Sequence, residues 1–449
     1  MKRNTVLSGL LSAAWLAAMM PGVADAGALR VATFNASLNR NAAGDLLSDL
    51  NNPAGSTGRI NHIKTVAEII QRIDADVILI NEFDYVPGNQ AIDLFRSNYL
   101  QQSQNTVGAG ATAPIFYNYA FTAPSNTGIS SGFDLNNFGG TVTTPGAPGY
   151  GDDSFGFGTF PGQFGMAVFS KLPILTADIR TFQNFLWKDM PGALLPDDPS
   201  TVGIPKDWYS QAELDVFRLS SKSHWDIPVQ VGSDVLHILA AHPTPPVFDG
   251  PEDRNGTRNH DEIRLWKDYV NDAGYIYDDN GVYGGLDADS RFVIVGDYNS
   301  DPLDGDSIPG STQQFLNDPL IDSTFTPSSP GGTQQSALQG GRNTTHLSDP
   351  KFDTADFADS APGNLRADLV LPSTFGIEIE GGGVFWPGNS DPLFPLVGTF
   401  NVANNWAGFP SSDHRAVFLD LQVVPEPSTI CLAAIAFVGL AAGIRRRGR

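Results

Sequence analysis

The stretch RFVIVGDYNSDP, residues 291–302, decides how this chain is read. FVIV (292–295) is an apolar, β-branched run of strand length that stops at Gly296. Asp297 and Asn299 follow at once, with Tyr298 between them. An apolar run without alternation fits a strand covered on both faces, as in layered α/β proteins. Its end delivers a carboxylate and a carboxamide from a rigid support, and strand ends are where α/β sheets usually build sites.

Working outward, the same syntax recurs. Residues 29–34 end in Asn35, 77–80 in Asn81 and Glu82, and 235–241 in His242. The run 367–371 carries Asp368 near its start, and 416–419 is preceded by Ser411-Ser-Asp-His414. Between the first two runs, Ile63, Val66, Ala67, Ile70 and Ile73 have helical spacing, which predicts a helix over 60–73 with Asn61 as its cap. A second helix is predicted from about Asn259 to Val270, burying Ile263, Trp266 and Val270. One strand-end Asp or Asn is more often a turn or cap residue than a ligand. His237 reads as a packed histidine, and His62, His224 and His346 have no distinguishing context. The ordered combination of Asn, Glu, His, Asp-x-Asn and Asp-His, each beside a hydrophobic strand, is what marks a site.

The 449 residues can bury one large core or two ordinary ones. Residues 1–26 hold Lys2, Arg3, an apolar stretch over 6–20 and Ala24-Asp-Ala26, the order of parts in a secretory signal peptide. The other end reads VPEPS (424–428), ICLAAIAFVGLAAGI (430–444) and RRRGR (445–449). Its apolar run falls short of the roughly 20 residues of a comfortable bilayer crossing, and the basic tail would stay cytoplasmic. Cys431, the only cysteine, lies there, so the body between the two ends has no internal disulfide. Six of the 27 basic and two of the 49 acidic residues sit in these ends, leaving the body, 27–424, at about −26. So acidic a body lacks the basic stripe of a tight, nonspecific nucleic-acid binder. It remains compatible with hydrolysing a phosphodiester at a metal, because the cation reverses the field locally.

Loop insertions are expected near 87–163, 187–226 and 305–359, lining the groove and setting the substrate. Within the first, Asp134, Asn136, Asp152 and Asp153 look like a calcium-holding loop, but Phe138 stands where another oxygen ligand belongs. An ordered surface insertion is the simpler reading. In 242–266 three prolines stiffen the start, and Arg254, Asn255, Arg258, Asn259 and His260 cluster before the predicted helix. Such a cluster suits an anion, with Arg254, Asn255 and Arg258 as phosphate contacts. A solvated loop that caps its helix remains the other reading.

The C-terminal segment 425–449 resembles the PEP-CTERM sorting tail of Gram-negative bacteria: Pro-Glu-Pro, a short membrane segment and an arginine cluster. That resemblance implies processing by exosortase-type machinery, transient membrane contact, and delivery to the cell surface or extracellular matrix. A plain C-terminal anchor is the alternative. In the body, ATFN (32–35), LINE (79–82), GMAVFSKLPI (165–174), AAHPT (240–244), VGDYNSDP (295–302), RADLVLP (366–372) and SSDHRAV (411–417) resemble, in this order, the endonuclease/exonuclease/phosphatase superfamily. It contains DNase I-like nucleases, exonuclease III-type repair enzymes, inositol polyphosphate phosphatases and bacterial sphingomyelinases. The resemblance spans nearly the whole body and implies a four-layer α/β sandwich, two packed mixed β-sheets with helices outside.

It also implies roles. Glu82 would ligate a divalent cation, Mg²⁺ or another such as Mn²⁺ or Ca²⁺, with Asn35 and Asp413 contributing to the metal shell. Asp297 would orient or deprotonate the attacking water, and Asn299 would hydrogen-bond the phosphoryl group. His414 would act as base or charged stabiliser with Asp368 as its carboxylate partner, and His242 as an acid or transition-state donor. The expected activity is exported, metal-dependent hydrolysis of phosphodiesters, nuclease-like, on a phosphate-ester substrate such as nucleic acid. A phosphomonoesterase or a sphingomyelinase-like phospholipase is the alternative within that class. A non-catalytic surface or matrix protein on a retired scaffold is the alternative outside it, and the presence of every expected polar group counts against that.

Overall fold

The computed structural model of the protein describes residues 28–400 and 409–424. The signal peptide read at 1–26 and the sorting tail read at 425–449 lie outside the described residues. Among the described residues, no helix is long and apolar enough to cross a membrane.

The strands, in chain order, are β1 (Ala28–Asn35), β2 (Val77–Asn81), β3 (Tyr119–Phe121), β4 (Met166–Ser170), β5 (Arg180–Thr181) and β6 (His224–Val231). They continue with β7 (Asp234–Ala241), β8 (Arg291–Asp297), β9 (Ala355–Asp356), β10 (Asn364–Leu365), β11 (Asp368–Pro372), β12 (Ile377–Val384) and β13 (Val417–Val423). One sheet has the order β12-β13-β1-β2-β4-β3, the other β11-β8-β7-β6-β5, and β9 with β10 forms a separate ribbon. Pairs β1/β2 and β7/β8 are parallel and their other neighbours antiparallel, so both sheets are mixed.

The apolar run of β8 is explained by burial on both faces. Val293 and Val295 join the core between the sheets, where they meet residues such as Val31, Ile78, Trp225 and Ile238. Phe292 and Ile294 belong to a second core on the other side of their sheet, with Ile263, Trp266 and Tyr269. β13 shows the contrasting case. It alternates buried and half-buried residues, turning Val417, Leu419, Leu421 and Val423 inward.

Two long helices complete the four layers. Helix α1 (Gly58–Ile73) packs Ile63, Val66 and Ile70 into the core of the first sheet, and α2 (Arg254–Val270) packs Ile263 and Trp266 into that of the second. The cap of α1 differs from the expected one: Thr57 accepts the Ile60 N–H at 3.3 Å, while Asn61 Nδ2 donates to the Ser56 carbonyl. Helix α2 begins at Arg254, five residues before the predicted start, because its polar first turns carry no apolar period for spacing to reveal. The polar cluster read as preceding the helix is therefore part of it.

The insertions are partly regular. The stretch 187–226 gives its last three residues to β6, and 305–359 contains helix α3 (Pro330–Gln339) and β9. In the loop with calcium-like acids, Asp134 accepts the N–H groups of Phe138, Gly139 and Gly140, and Asp153 those of Leu135 and Val142. These carboxylates brace backbone turns.

Candidate active site

Strand register brings the polar ends to one edge. Asn35 stands opposite Asn81 across β1/β2, so Glu82 follows at the same end. Asp297 pairs with Asp368 across β8/β11, and Gly296 with Ala241 across β7/β8, which puts His242 beside Asp297. Val417 lies opposite Thr33, carrying Asp413 and His414 to the same edge from the start of β13. Glycine closes β8 for a steric reason: a Cβ at position 296 would meet the Ala241 carbonyl oxygen at 2.1 Å.

Asp297 is the meeting point. Its Oδ2 accepts from Asn35 Nδ2 at 3.0 Å and lies 3.4 Å from His242 Nε2 and 3.5 Å from His414 Nε2. Its Oδ1 accepts the Asn299 N–H at 2.9 Å. The same Asn35 nitrogen donates to Glu82 Oε1 at 3.0 Å. Glu82 takes a left-handed backbone, φ +59°, uncommon for a residue with a side chain and typical of strain retained at sites. His414 Nδ1 donates to Asp368 Oδ2 at 2.8 Å, and Thr354 Oγ1 donates to that oxygen at 2.8 Å. Glu82, His242, Asp297, Asn299, Asp413 and His414 all line one cavity of about 830 Å³. Asn35 and Asp368 are buried behind that lining.

Burial raises Glu82 to about 7; the Asn35 hydrogen bond opposes this, while the charges of Asp413 and Asp297 reinforce it. Burial also works against ionising Asp297, yet the His414 charge and the bonds from His242 and Asn35 hold it well below the usual carboxylate range. For His414 burial disfavours the cation, but Asp368 and Asp297 outweigh it and keep the imidazole charged well above its ordinary range. Asp368 itself is raised to about 6, by burial against its bond to His414. Burial, aided by the Lys222 charge, lowers His242 to about 4, so this ring is neutral at pH 7.

The donor set fits a divalent cation. Glu82, Asp297, Asp368 and Asp413 bring four carboxylates to a region where His414, Lys222 and Arg415 are opposing charges, and hard divalent ions prefer such oxygen ligands. Glu82, bonded by one amide, keeps an oxygen for such an ion. Asp297, Asp368 and His414 are the one trio among the described residues whose ligand atoms all lie within 4.8 Å of one another. Within that trio His414 Nδ1 donates to Asp368 Oδ2, while Asp368 Oδ1 is buried with no hydrogen-bond partner among the described residues.

A model of the Endonuclease/Exonuclease/phosphatase family matches residues 32–414. The chain belongs to that family. Its members are hydrolases of phosphate esters, and the fold generally uses divalent cations. Residues 423–447 match the PEP-CTERM protein-sorting motif, which indicates export to the cell envelope of Gram-negative bacteria. No curated protein matches the chain. Among solved structures it is similar to a Bacteroides thetaiotaomicron family member, with 11% identity and TM-score 0.41, over 89% of this chain and 96% of that one. It is also similar to sphingomyelinase C from Streptomyces griseocarneus, at 12% and 0.40 over 88% and 98%. The catalytic domain of human Nocturnin gives 12% and 0.40, over 88% and 95%.

The cluster expected to contact phosphate reaches this cavity. Arg254, Asn255 and Arg258 do line the cavity, but each is engaged with the protein. Arg254 pairs with Glu252, and Asn255 Nδ2 donates to the Val247 carbonyl at 2.7 Å. Arg258 is buried, donating to the carbonyls of Leu219 at 2.8 Å, Phe155 at 2.5 Å and Arg218 at 3.0 Å. Its guanidinium knits loops together. Two residues of the site escape sequence reading, Thr354 behind Asp368 and Lys222 in the cavity wall. Neither follows an apolar strand, so the strand-end pattern does not mark them.

Proposed function

We propose that the protein is an exported phosphoesterase, dependent on a divalent cation, that hydrolyses phosphodiester bonds in a nuclease-like manner. The observation that carries this reading is the convergence on Asp297: Asn35, His242 and His414, from separate strand ends, reach one carboxylate oxygen. Glu82 would hold the cation, assisted by Asn35 and Asp413, and Mg²⁺ suits such an oxygen-rich set. When bound, the cation supplies Lewis acidity toward a phosphoryl oxygen.

The chain's own residues do the rest. Asp297, held ionised, orients the attacking water and accepts its proton as the new phosphorus–oxygen bond forms. Asn299 hydrogen-bonds the phosphoryl group. His414, kept charged by Asp368, faces the developing negative charge with Nε2. Neutral His242 offers its own Nε2–H toward the departing oxygen. Rigid strand ends hold these groups in the fixed geometry that in-line attack requires. The sorting motif supports processing by an exosortase-type enzyme with transient membrane contact through the tail.

The test is an assay of the protein on a chromogenic phosphodiester, a phosphomonoester, plasmid DNA and sphingomyelin, with Mg²⁺ or with chelator. Chelator-sensitive hydrolysis, strongest on the diesters and lost in Asp297→Ala and His414→Ala, is expected. Hydrolysis untouched by either change would place the chemistry elsewhere. Inactivity on all four would favour a matrix protein on a retired scaffold.

A further inference from the structure

Three lysine and arginine side chains line the cavity among the described residues: Lys222, Arg254 and Arg258. The arginines are held by protein acceptors. Lys222 is not held in that way. It is 6% exposed, yet its one hydrogen bond is a long contact of 3.4 Å from Nζ to the Pro243 carbonyl. The nearby charges of Glu262, Glu82 and Asp297 favour the ammonium against its burial, but none of them bonds it.

Asn299 Nδ2 donates to the same Pro243 carbonyl at 3.1 Å. One carbonyl, adjacent to His242, thus gathers an ammonium and a carboxamide side by side at the cavity wall. An ammonium buried without a bonded carboxylate is destabilising. Such a group has a clear use where an anion arrives to complete its coordination, and a lysine provides a compact charge with rotatable donors for it. In a body of about −26, a cation facing the site also offsets local repulsion of a phosphate.

We propose that Lys222 is a catalytic residue that contacts a non-bridging phosphoryl oxygen directly, with Asn299 as the second donor to the same group. In the absence of substrate the Pro243 carbonyl serves as their shared acceptor, and a phosphoryl oxygen takes its place. This rests on the phosphoesterase reading and adds a phosphate-binding cation that, unlike the arginines, is bonded to neither a carboxylate nor several carbonyls.

The experiment compares the full protein with Lys222→Met, which keeps the stem and removes the charge, and follows hydrolysis, binding of inorganic phosphate and thermal melting. Expected are a fall of about 10²–10³-fold in kcat/KM, phosphate binding weakened at least about tenfold, and a melting temperature equal to or above wild type. Unchanged phosphate affinity would overturn the proposal, as would a lowered melting temperature with unchanged rate, the signature of a structural lysine. Should the Met variant melt lower and also bind less phosphate, Lys222→Gln, which keeps a neutral donor, decides: wild-type phosphate affinity in that variant overturns the assignment and weakened affinity supports it. If wild-type protein hydrolyses none of the substrates, phosphate binding still separates the outcomes. Loss in the variant would keep the anion contact while rejecting the phosphoesterase.

Discussion

His414 Nδ1 donates to Asp368 Oδ2 at 2.8 Å, and the two residues belong to different sheets, one just before β13 and the other at the start of β11. The bond closes the edge of the sandwich and fixes which face of the imidazole looks into the cavity. Its second consequence is electrostatic, because Asp368 is a principal reason that His414 stays charged.

Asp368→Asn keeps the shape and removes that charge. The His414 pKa is expected to move down toward the ordinary histidine range, which a ring-proton NMR titration would follow. Hydrolysis at neutral pH is expected to drop about 10²–10⁴-fold. An unchanged titration would show that Asp368 does not control the ring.

Glu82→Gln tests the cation site. Loss of partners of metal ligands commonly weakens metal binding about 10–100-fold, so loss of a ligand is expected to weaken it at least that much. Isothermal titration with Mg²⁺ gives the affinity, and activity in the variant should recover only at far higher Mg²⁺. Equal affinity in wild type and variant would remove Glu82 from the ligand set.

The pH dependence of stability in chelator has a definite sign. Burial raises Glu82 to about 7, and it likewise raises Asp84 to about 7 and Asp353 to about 8. A carboxyl with a raised folded pKa binds its proton more tightly in the native state. Its stabilising effect is complete below the unfolded pKa and is lost as pH rises through the folded one. The buried neutral histidines His62, His224 and His242, each lowered to about 4, give the opposite slope up to the ordinary histidine range, so melting temperature should fall between about pH 6.5 and 8. The share from Glu82 is at most about 3 kcal/mol, and Glu82→Gln should flatten the slope. A melting temperature that rises over this range would contradict the charge balance described for the site.

Arg258→Met separates structure from binding. Three buried carbonyls lose their donor, a loss expected to destabilise by about 3 kcal/mol or more. Chemical denaturation measures this, and the KM of the variant, assayed well below its melting temperature, should stay within about threefold of wild type. A large KM increase with unchanged stability would restore the phosphate-contact role that the sequence suggests.

Much of this molecule is legible in its amino-acid order. The run FVIV (292–295) announces its double burial because both of its faces meet apolar partners, Val293 and Val295 on one side, Phe292 and Ile294 on the other. The order of Asn35, Glu82, His242, Asp297 and His414 along the chain is readable for a related reason. Each residue lies at the end of a strand, just after one or within three residues before one, and strand periodicity is a local property. The start of α2 is not legible, since its N-cap Asp253 makes no side-chain cap bond and its polar first turns leave little hydrophobic pattern.

The chain by itself therefore settled six strands, β1, β2, β7, β8, β11 and β13, and the polar groups at their ends, since local burial patterns encode both, whereas the other seven strands are not marked that way. Tertiary structure alone decided which cations are available to a ligand. Arg258 is occupied because its acceptors arrive from positions 155, 218 and 219, whereas Lys222 meets only the carbonyl of residue 243. Availability of a charge depends on partners remote in the chain, and no local pattern carries that information.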